Sequence, residues 1–476
     1  MTTNGRQPRV AVIGAGPGGY PAAFHAAELG MDVTLIDPEA NPGGVCLYRG
    51  CIPSKTLLHV ASLLGEAEDA ADWGVSFGQP EIDLDRLRSW KDQVISKMTS
   101  GLGLLTRARR VRFTRGLARF DGPHALKVEP SDGGEAERLD FDYAVIATGS
   151  QPAAPPGFEI DGDRVLDSTS ALEMAEVPDT LLVVGGGYIG LELGSVYAAL
   201  GSRVTVVEME AGLLPGADRD LVRPLERKLK SAFEEILLST RVASLNVRPD
   251  GVDVELAGAR VEVPSQRFDK VLVAVGRRPN SAGLNLATAG VESDQRGFIK
   301  VDHQRRTSAA HIFAIGDAAG EPMLAHKATY EAHVATSAMA GQAAIYDAQA
   351  IPAVVFTDPE IAWCGLTESE ARESGRPHQV ATFPWAASGR ATTLGRNDGL
   401  TKLILEPTTE RVLGVGITGR GAGELIAEGV LAVEMGARAD DLRLSIHPHP
   451  TTSETLMEAA EVFFNTSPHY IARKRG

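Results

Sequence analysis

Short apolar runs ending in glycine-rich turns are the clearest pattern in the chain, and two of them stand in matching surroundings. Arg9 to Ile13 predicts a buried strand, followed by Gly14-Ala15-Gly16-Pro17-Gly18-Gly19, a helix to Gly30 and a second strand from Val33 to Asp37. Leu181 to Val184 predicts such a strand again, followed by Gly185-Gly186-Gly187-Tyr188-Ile189-Gly190, a helix to Gly201 and a strand from Val204 to Glu208. In both copies the acidic residue lies 23 positions after the first glycine, and the glycine that closes the helix lies 16 positions after it. Phase agreement of this kind marks a repeated unit rather than two unrelated turns.

A G-x-G-x-x-G turn between a strand and a helix is the fingerprint of a Rossmann dinucleotide site. Gly14 and Gly185 permit the tight turn, Gly16 and Gly187 let the backbone approach a pyrophosphate, and Gly19 and Gly190 let the helix pack on its strand. The phosphates then face a helix N-terminus. Asp37 and Glu208, at the ends of the second strands, are placed to accept hydrogen bonds from ribose hydroxyls. Glu208 suits the free 2'-hydroxyl of NAD and opposes the 2'-phosphate of NADP, and Met209 to Gly216 contains no Arg or Lys to receive that phosphate. Two bound dinucleotides are therefore expected, the second being NAD.

With 476 residues the chain exceeds one ordinary core, so several domains are expected. The 51 glycines suit tight turns and close approaches to ligands. A formal charge of -15 speaks against broad nucleic-acid binding, which needs a clustered basic surface. It agrees better with a basic protein partner. Met1 to Val10 is polar and no later stretch offers the roughly 20 apolar residues that span a bilayer, so a soluble cytoplasmic protein without membrane contact is expected.

Three cysteines are present. Cys364 sits in the apolar run Ile361-Ala362-Trp363 and reads as a core residue. Cys46 and Cys51 lie five apart in Gly43-Gly44-Val45-Cys46-Leu47-Tyr48-Arg49-Gly50-Cys51-Ile52-Pro53-Ser54-Lys55. Only His25 and His59 stand near them, at no zinc spacing, so no metal site is expected. On a regular helix residues five apart are rotated by roughly 140°, and their sulfurs meet only if the backbone departs from helical geometry. Gly50 and Pro53 supply that departure. A bond in such irregular geometry is reducible, as a redox disulfide must be, although two reduced core cysteines are the alternative. Lys55, one turn after Cys51, adds a charge that favours thiolate. Because a redox disulfide is useful only beside a flavin, the first dinucleotide site is expected to hold FAD.

Together with Ala147-Thr148-Gly149, Val273-Ala274-Val275-Gly276-Arg277-Arg278-Pro279-Asn280, Ile312-Phe313-Ala314-Ile315-Gly316-Asp317 and His447-Pro448-His449-Pro450-Thr451-Thr452-Ser453-Glu454, these segments resemble the flavoprotein disulfide reductases, the class I pyridine nucleotide-disulfide oxidoreductases, over nearly the whole chain. The likeness is greatest to members that oxidise dihydrolipoyl groups. It implies that Cys46 is the interchange thiol, Cys51 the thiol on the flavin, and Lys55 a lysine near the flavin paired with Glu192. It further implies that Asp317 binds the FAD ribitol, that Gly149 and Gly276 belong to cofactor-binding turns, and that Tyr188 covers the nicotinamide pocket. Tyr48 and Arg49 depart from the pattern, standing where many members have Asn and Val.

Oxidation of a dithiol needs a group that takes a thiol proton. His449 is the candidate: Pro450 fixes the backbone after it, and Glu454 lies close enough in sequence to hold one ring nitrogen. The resemblance makes this the catalytic histidine with its carboxylate, supplied by the other subunit of an obligate homodimer. His447 reads as a structural neighbour and His59 as a helix residue.

The expected fold is α/β, with two Rossmann-like dinucleotide-binding domains and an α+β C-terminal dimerisation domain. An FAD-binding domain is placed at 1–150 and 277–345, an NAD-binding domain at 151–276 and the interface domain at 346–476, with a helix over Gly423 to Met435. Asp132-Gly133-Gly134 reads as a hairpin loop and Gln151 to Gly157 as a linker. The implied activity passes electrons from protein-bound dihydrolipoyl groups through Cys46-Cys51 and FAD to NAD. The implied partners are a lipoyl-bearing acyltransferase of 2-oxoacid dehydrogenase complexes or the lipoyl protein of glycine cleavage. A glutathione-type reductase remains open, though it should carry arginines after the second fingerprint, as does a flavin-bearing sensor or scaffold without turnover.

Overall fold

The computed structural model of the chain describes residues 6–259 and 261–471; Met1 to Gly5 of the polar N-terminal stretch lie outside them. Arg9–Ile13 occupies the middle of a seven-stranded sheet, parallel to Asp32–Asp37 on one side and Tyr143–Ile146 on the other. Arg112–Phe120 extends the parallel part, and Ala125–Pro130 and Glu137–Asp140 add an antiparallel meander whose turn contains Asp132-Gly133-Gly134. The far edge is Ile312–Ala314, which returns from late in the chain to pair with Tyr143–Ile146. These strands read as continuous apolar runs because both faces are covered. Val10, Val12, Val33 and Leu35 pack under the Gly19–Glu28 and Ala325–Met339 helices, while Ala11, Ile13 and Ile36 face Phe120, Leu126 and Phe141.

The second unit repeats the plan. Thr180–Val184 is central in a five-stranded parallel sheet, flanked by Arg203–Val207 and Lys270–Val273, with Glu235–Leu237 and Val165–Leu166 at the edges. Leu181 and Val183 face the Tyr188–Ala199 and Arg219–Ala232 helices. Leu182 and Val184 face a three-stranded antiparallel sheet of Thr240–Arg248, Gly251–Gly258 and Ser265–Phe268.

The stretch Gln151 to Gly157, expected to be a linker, is partly structured. Ser150–Pro152 pairs antiparallel with Arg277–Pro279, so the strand leaving for the second unit is hydrogen-bonded to the strand coming back. Proline at Pro152 and Pro279 is tolerated because each sits at the end of this two-stranded ribbon.

The C-terminal part is a five-stranded antiparallel sheet ordered Ala353–Val355, Ile361–Gly365, Val412–Thr418, Leu400–Leu405, Gln379–Pro384. The helices Ala422–Glu434 and Glu454–Phe464 cover it around Phe383, Trp385, Ile417 and Leu456. The mixed α/β plan with an α+β C-terminal unit is the one expected from sequence. Cys364 is a core residue, its thiol pushed up to about 12 by burial. Among the described residues no helix is long and apolar enough to cross a membrane.

A buried charge joins the second and third units. Lys402 is fully buried, and its Nζ donates to Asp218 Oδ2 at 2.7 Å, Asp220 Oδ1 at 2.7 Å and Glu368 Oε2 at 3.3 Å. Burial alone would lower the lysine's pKa, but Asp220 and Asp218 outweigh it and hold the ammonium charged. The three carboxylates are close enough to suggest a cation site, and the ammonium stands in their midst. Lys402→Met should therefore cost about 3–5 kcal/mol, because Asp218 stays buried beside two half-buried carboxylates without a counter-charge. Thermal unfolding checks this, and Asp218→Asn in the same chain should recover part of the loss.

Candidate active site

A cavity of about 630 Å3 runs from the first fingerprint to the cysteine pair. Gly14, with φ +94°, makes the fingerprint turn, where a Cβ would fall 2.4 Å from the Ala147 oxygen. A Cβ on Gly19 would come within 1.8 Å of the Gly14 oxygen, so Gly19 serves helix packing and does not line the cavity. Gly16 is different: a Cβ there would meet nothing nearer than Gly44 Cα at 3.8 Å. The packing of the chain itself does not require glycine at that position, and the room above it is where a pyrophosphate belongs.

The second fingerprint repeats these contacts. A Cβ on Gly185 would lie 2.4 Å from the Ala274 oxygen and one on Gly190 2.2 Å from the Gly185 oxygen, while one on Gly187 would meet nothing within 4 Å. The two acids are clamped alike. Asp37 Oδ2 accepts from the Ala15 amide at 2.7 Å and Oδ1 from Glu39 at 3.0 Å. Glu208 Oε2 accepts from the Gly186 amide at 2.6 Å and Oε1 from Glu210 at 2.7 Å. Burial pushes the Asp37 carboxyl up, against the pull of the Ala15 amide and of Arg49. The first arginine after Glu208, Arg219, is committed to the carbonyls of Leu213, Leu214 and Ala217 at 2.7–2.8 Å, so no basic group of that stretch is left to meet a 2'-phosphate.

The cysteine segment is two helices meeting at a break. Gly44–Arg49 ends at Gly50, whose φ of -146° and ψ of -115° are not helical, and Cys51–Asp69 begins directly after it. The break brings the two thiols within reach of each other, with Cys46 as donor and Cys51 as acceptor. Cys51 is exposed, but to the cavity it lines rather than to the outer surface. The contact divides the pair: the hydrogen bond to Cys51 and then burial raise the Cys46 thiol, while the bond from Cys46, with help from Lys55, lowers Cys51 to about 7 against burial. A thiolate is therefore favoured on Cys51. Lys55 Nζ bonds to Glu192 Oε2 at 2.6 Å and stands 4.6 Å from the centre of the Phe356 ring, and Glu192 Oε1 accepts from the Phe356 amide at 3.0 Å. Tyr188 also lines the cavity. Asp317 lines it too, with Oδ2 accepting from Ser150 Oγ at 2.5 Å.

His449 and Glu454 form the expected pair, with Nδ1 2.9 Å from Glu454 Oε1. The other carboxylate oxygen accepts from the Thr451 amide at 2.7 Å, and against the cost of burial that amide and then His449 hold Glu454 below the ordinary carboxylate range. The His449 side chain is 77% exposed and is not among the residues that line the cavity with Cys46 and Cys51. One chain therefore does not bring this base to these thiols. His447, 7% exposed, bonds to Glu428 at 2.8 Å, as befits a structural neighbour. His59 lies exposed on the helix after Cys51.

Residues 8–332 match the model of the pyridine nucleotide-disulphide oxidoreductases, and residues 351–460 match that family's dimerisation domain. The chain belongs to this family. It is 46% identical over 455 residues to the dihydrolipoyl dehydrogenase of Vibrio parahaemolyticus, covering 96% of this chain and 95% of that one. With the dihydrolipoyl dehydrogenase of Thermus scotoductus it shares 46% over 464 residues, 97% and 98% of the two chains. Its fold is similar to the crystal structure of LpdA from Mycobacterium tuberculosis, with a TM-score of 0.88 and 27% identity over 96% of this chain and 99% of that one. FAD and NAD are the family's cofactors, and the room above Gly16 and Gly187 fits them.

Sequence reasoning missed the group that holds Asp317. Arg277 donates to Ser150 Oγ at 2.8 Å and to the Ser150 carbonyl at 2.7 Å, so an arginine fixes the serine that bonds the acid. Glu331, fully buried, accepts from the Gly316 amide at 2.6 Å and pairs with Arg305 and Lys327. Arg277 stood in a segment already singled out, whereas Ser150 and Glu331 carried no signal of their own. Gly276, expected at the cofactor, takes φ +126° in the turn before the returning strand and does not line the cavity.

The glycines divide by what surrounds them. Gly16→Ala and Gly187→Ala should leave the unfolding temperature of the apoprotein nearly unchanged while weakening FAD and NAD binding respectively. Gly19→Ala and Gly190→Ala should lower that temperature, as calorimetry would show. For the thiols, a lowered Cys51 means thiolate present above about pH 7 and lost below it. Ultraviolet titration of the reduced protein should find that midpoint, and Lys55→Met should move it upward; a midpoint near 9 in the unaltered chain would contradict the assignment.

Proposed function

We propose that the chain oxidises protein-bound dihydrolipoyl groups and delivers the electrons to NAD+, as a dihydrolipoyl dehydrogenase. The observation that carries this reading is that Cys46 and Cys51, close enough to interact and with Cys51 favouring thiolate, line one cavity with a dinucleotide fingerprint. The similarity to dihydrolipoyl dehydrogenases over nearly the full chain supports it.

In the oxidised enzyme Cys46 and Cys51 form a disulfide. A dihydrolipoyl thiolate attacks Cys46, breaking the S–S bond and leaving Cys51 as thiolate beside Lys55. The second dihydrolipoyl thiol then displaces Cys46, so that the lipoyl disulfide leaves and two electrons remain on the cysteine pair. His449 takes the thiol proton, and Glu454 holds its Nδ1 so that Nε2 faces the substrate. The exposure of His449, away from the cysteines of its own chain, supports a site in which it serves the other subunit of a homodimer. FAD, when bound, supplies a two-electron carrier between the cysteine pair and NAD+. Gly14, Gly16, Asp37, Gly149 and Asp317 would hold it, with Gly185, Gly187, Gly190 and Glu208 holding NAD. The Lys55–Glu192 pair fixes a positive charge next to Cys51. The domain division at 1–150 with 277–345, 151–276 and 346–476 belongs to the same reading, as do a lipoyl-bearing acyltransferase or glycine-cleavage lipoyl protein as substrate carrier.

The purified holoprotein should oxidise dihydrolipoamide with NAD+ and be slower with NADP+ by about two orders of magnitude, the cost of placing a 2'-phosphate against Glu208. Glutathione reduction with NADPH in preference to lipoamide would overturn the assignment, and no turnover with any acceptor would favour a sensor.

A further inference from the structure

Two residues between the cysteines have no part in the chemistry above, and both are tied outward. Tyr48 Oη donates to the Asn41 carbonyl at 3.0 Å and accepts from the Asn41 amide at 3.2 Å, closing both backbone groups of one residue. Arg49 is paired through Nη2 with Glu39 Oε1. The stretch they grip is itself fixed. It starts at Asp37, clamped to Ala15, and the Gly43 amide donates to the Ala15 carbonyl at 2.8 Å. Gly44, with φ +57°, lies so near the fingerprint that a Cβ would fall 2.5 Å from Gly16 Cα. Asn41 rests on Gly103 of the Leu84–Ala108 helix, where a Cβ would meet Asn41 Oδ1 at 2.1 Å. Fingerprint, ribose-side acid and this stretch form one platform.

The helix carrying Cys46 has six residues, too few to hold itself, and the break at Gly50 removes helical hydrogen bonds as a tie to the helix carrying Cys51. We propose that Tyr48 and Arg49 are positioning residues for the redox pair, fastening the Cys46 turn to Asn41 and Glu39 so that the two sulfurs stay in reach and the disulfide is favoured over the dithiol. The inference rests on Cys46 and Cys51 being that pair. When the thiols are already held together, closing the S–S bond costs less ordering, which acts as a high effective concentration of one thiol at the other. Released from the platform, the sulfurs separate in the dithiol state and the disulfide becomes easier to reduce.

The balance is read against lipoamide. The Cys46 and Cys51 thiols give two electrons and two protons to the lipoamide disulfide; its S–S bond breaks, theirs forms, and dihydrolipoamide is released. Holoprotein is equilibrated anaerobically in mixtures of lipoamide and dihydrolipoamide, and free thiols are counted by alkylation and mass. Tyr48→Phe and Arg49→Gln should each move the equilibrium about threefold toward the dithiol, the effect of one lost tie. The double variant should move it about tenfold, which is about 30 mV for a two-electron couple. Arg49→Lys, keeping a cation opposite Glu39, should recover most of the shift; FAD content should be unchanged in Tyr48→Phe, and the Arg49 variants, whose side chain lines the cavity beside Asp37, are compared at equal FAD occupancy. An unchanged equilibrium in the double variant, beside an unaltered chain that titrates as a dithiol, would overturn the proposal alone. Loss of FAD with an unchanged equilibrium would overturn it too, assigning the two residues to cofactor retention. Absence of any lipoamide-dependent dithiol in the unaltered chain would overturn the redox-pair reading along with it.

Discussion

The Cys46 thiol reaches Cys51 because the backbone leaves helical geometry at Gly50, and the chemistry of the site is arranged around that departure. Had the helix run on, the sulfurs would point roughly 140° apart. The break turns Cys46 back over the first turn of the following helix, and the same helix carries Lys55 one turn further on. One interruption therefore decides which atoms meet and which of them holds negative charge. Lys55 is in turn held by Glu192, whose second oxygen is bound by the Phe356 amide of the C-terminal unit. The first, second and third units each contribute to the surroundings of a single thiol.

The duplicated units show how little a dinucleotide site needs to repeat. Their sequences differ at most positions, yet both acids are clamped between the second amide of the glycine turn and an amide two residues ahead. Such a clamp fixes the carboxylate before a ligand arrives, so ordering it is no cost of binding. What distinguishes the two sites lies after the acid. Both stretches fold back on their fingerprints, the Gly43 amide donating to the Ala15 carbonyl at 2.8 Å and the Leu214 amide to the Gly186 carbonyl at 2.9 Å, but the first leads into the cysteines and the second to Arg219, whose guanidinium is spent on backbone carbonyls.

Most of this was legible in the sequence because it rests on local rules. Glycine spacing placed both fingerprints, Gly50 and Pro53 foretold the interrupted helix, and Glu454 lay where it could hold His449. What escaped was either a pairing of distant strands or a side chain of ordinary type. Gln151 and Pro152 looked like a linker because prolines dominate the stretch, and nothing local announces that Arg277–Pro279 returns to pair with it. Ser150 is a common residue whose place between Arg277 and Asp317 comes from that same pairing. Lys402 carried no signal of its own; only the approach of Asp218, Asp220 and Glu368 from other parts of the chain makes it a buried counter-charge. Tyr48 and Arg49 stood out as departures, but their partners Asn41 and Glu39 carried no signal until the loop was seen folded.

The distribution of exposure in the C-terminal unit bears on the proposal that two chains share one site. Leu431, Met435, Leu444 and Ile446 are 62–99% exposed in the part of the chain that matches a dimerisation domain, and His449 follows directly after them. Apolar side chains left open in such numbers are costly unless another surface covers them. Glu454 meanwhile fixes the His449 ring although no thiol of the same cavity faces it, an ordering that gains nothing within one chain. Both features are accounted for at once if the surface that buries the apolar residues also carries the cysteines the imidazole is aimed at. The third unit has its own buried core within one chain, so on the proposed reading the interface adds the cover of those apolar side chains and the meeting of the base with the thiols.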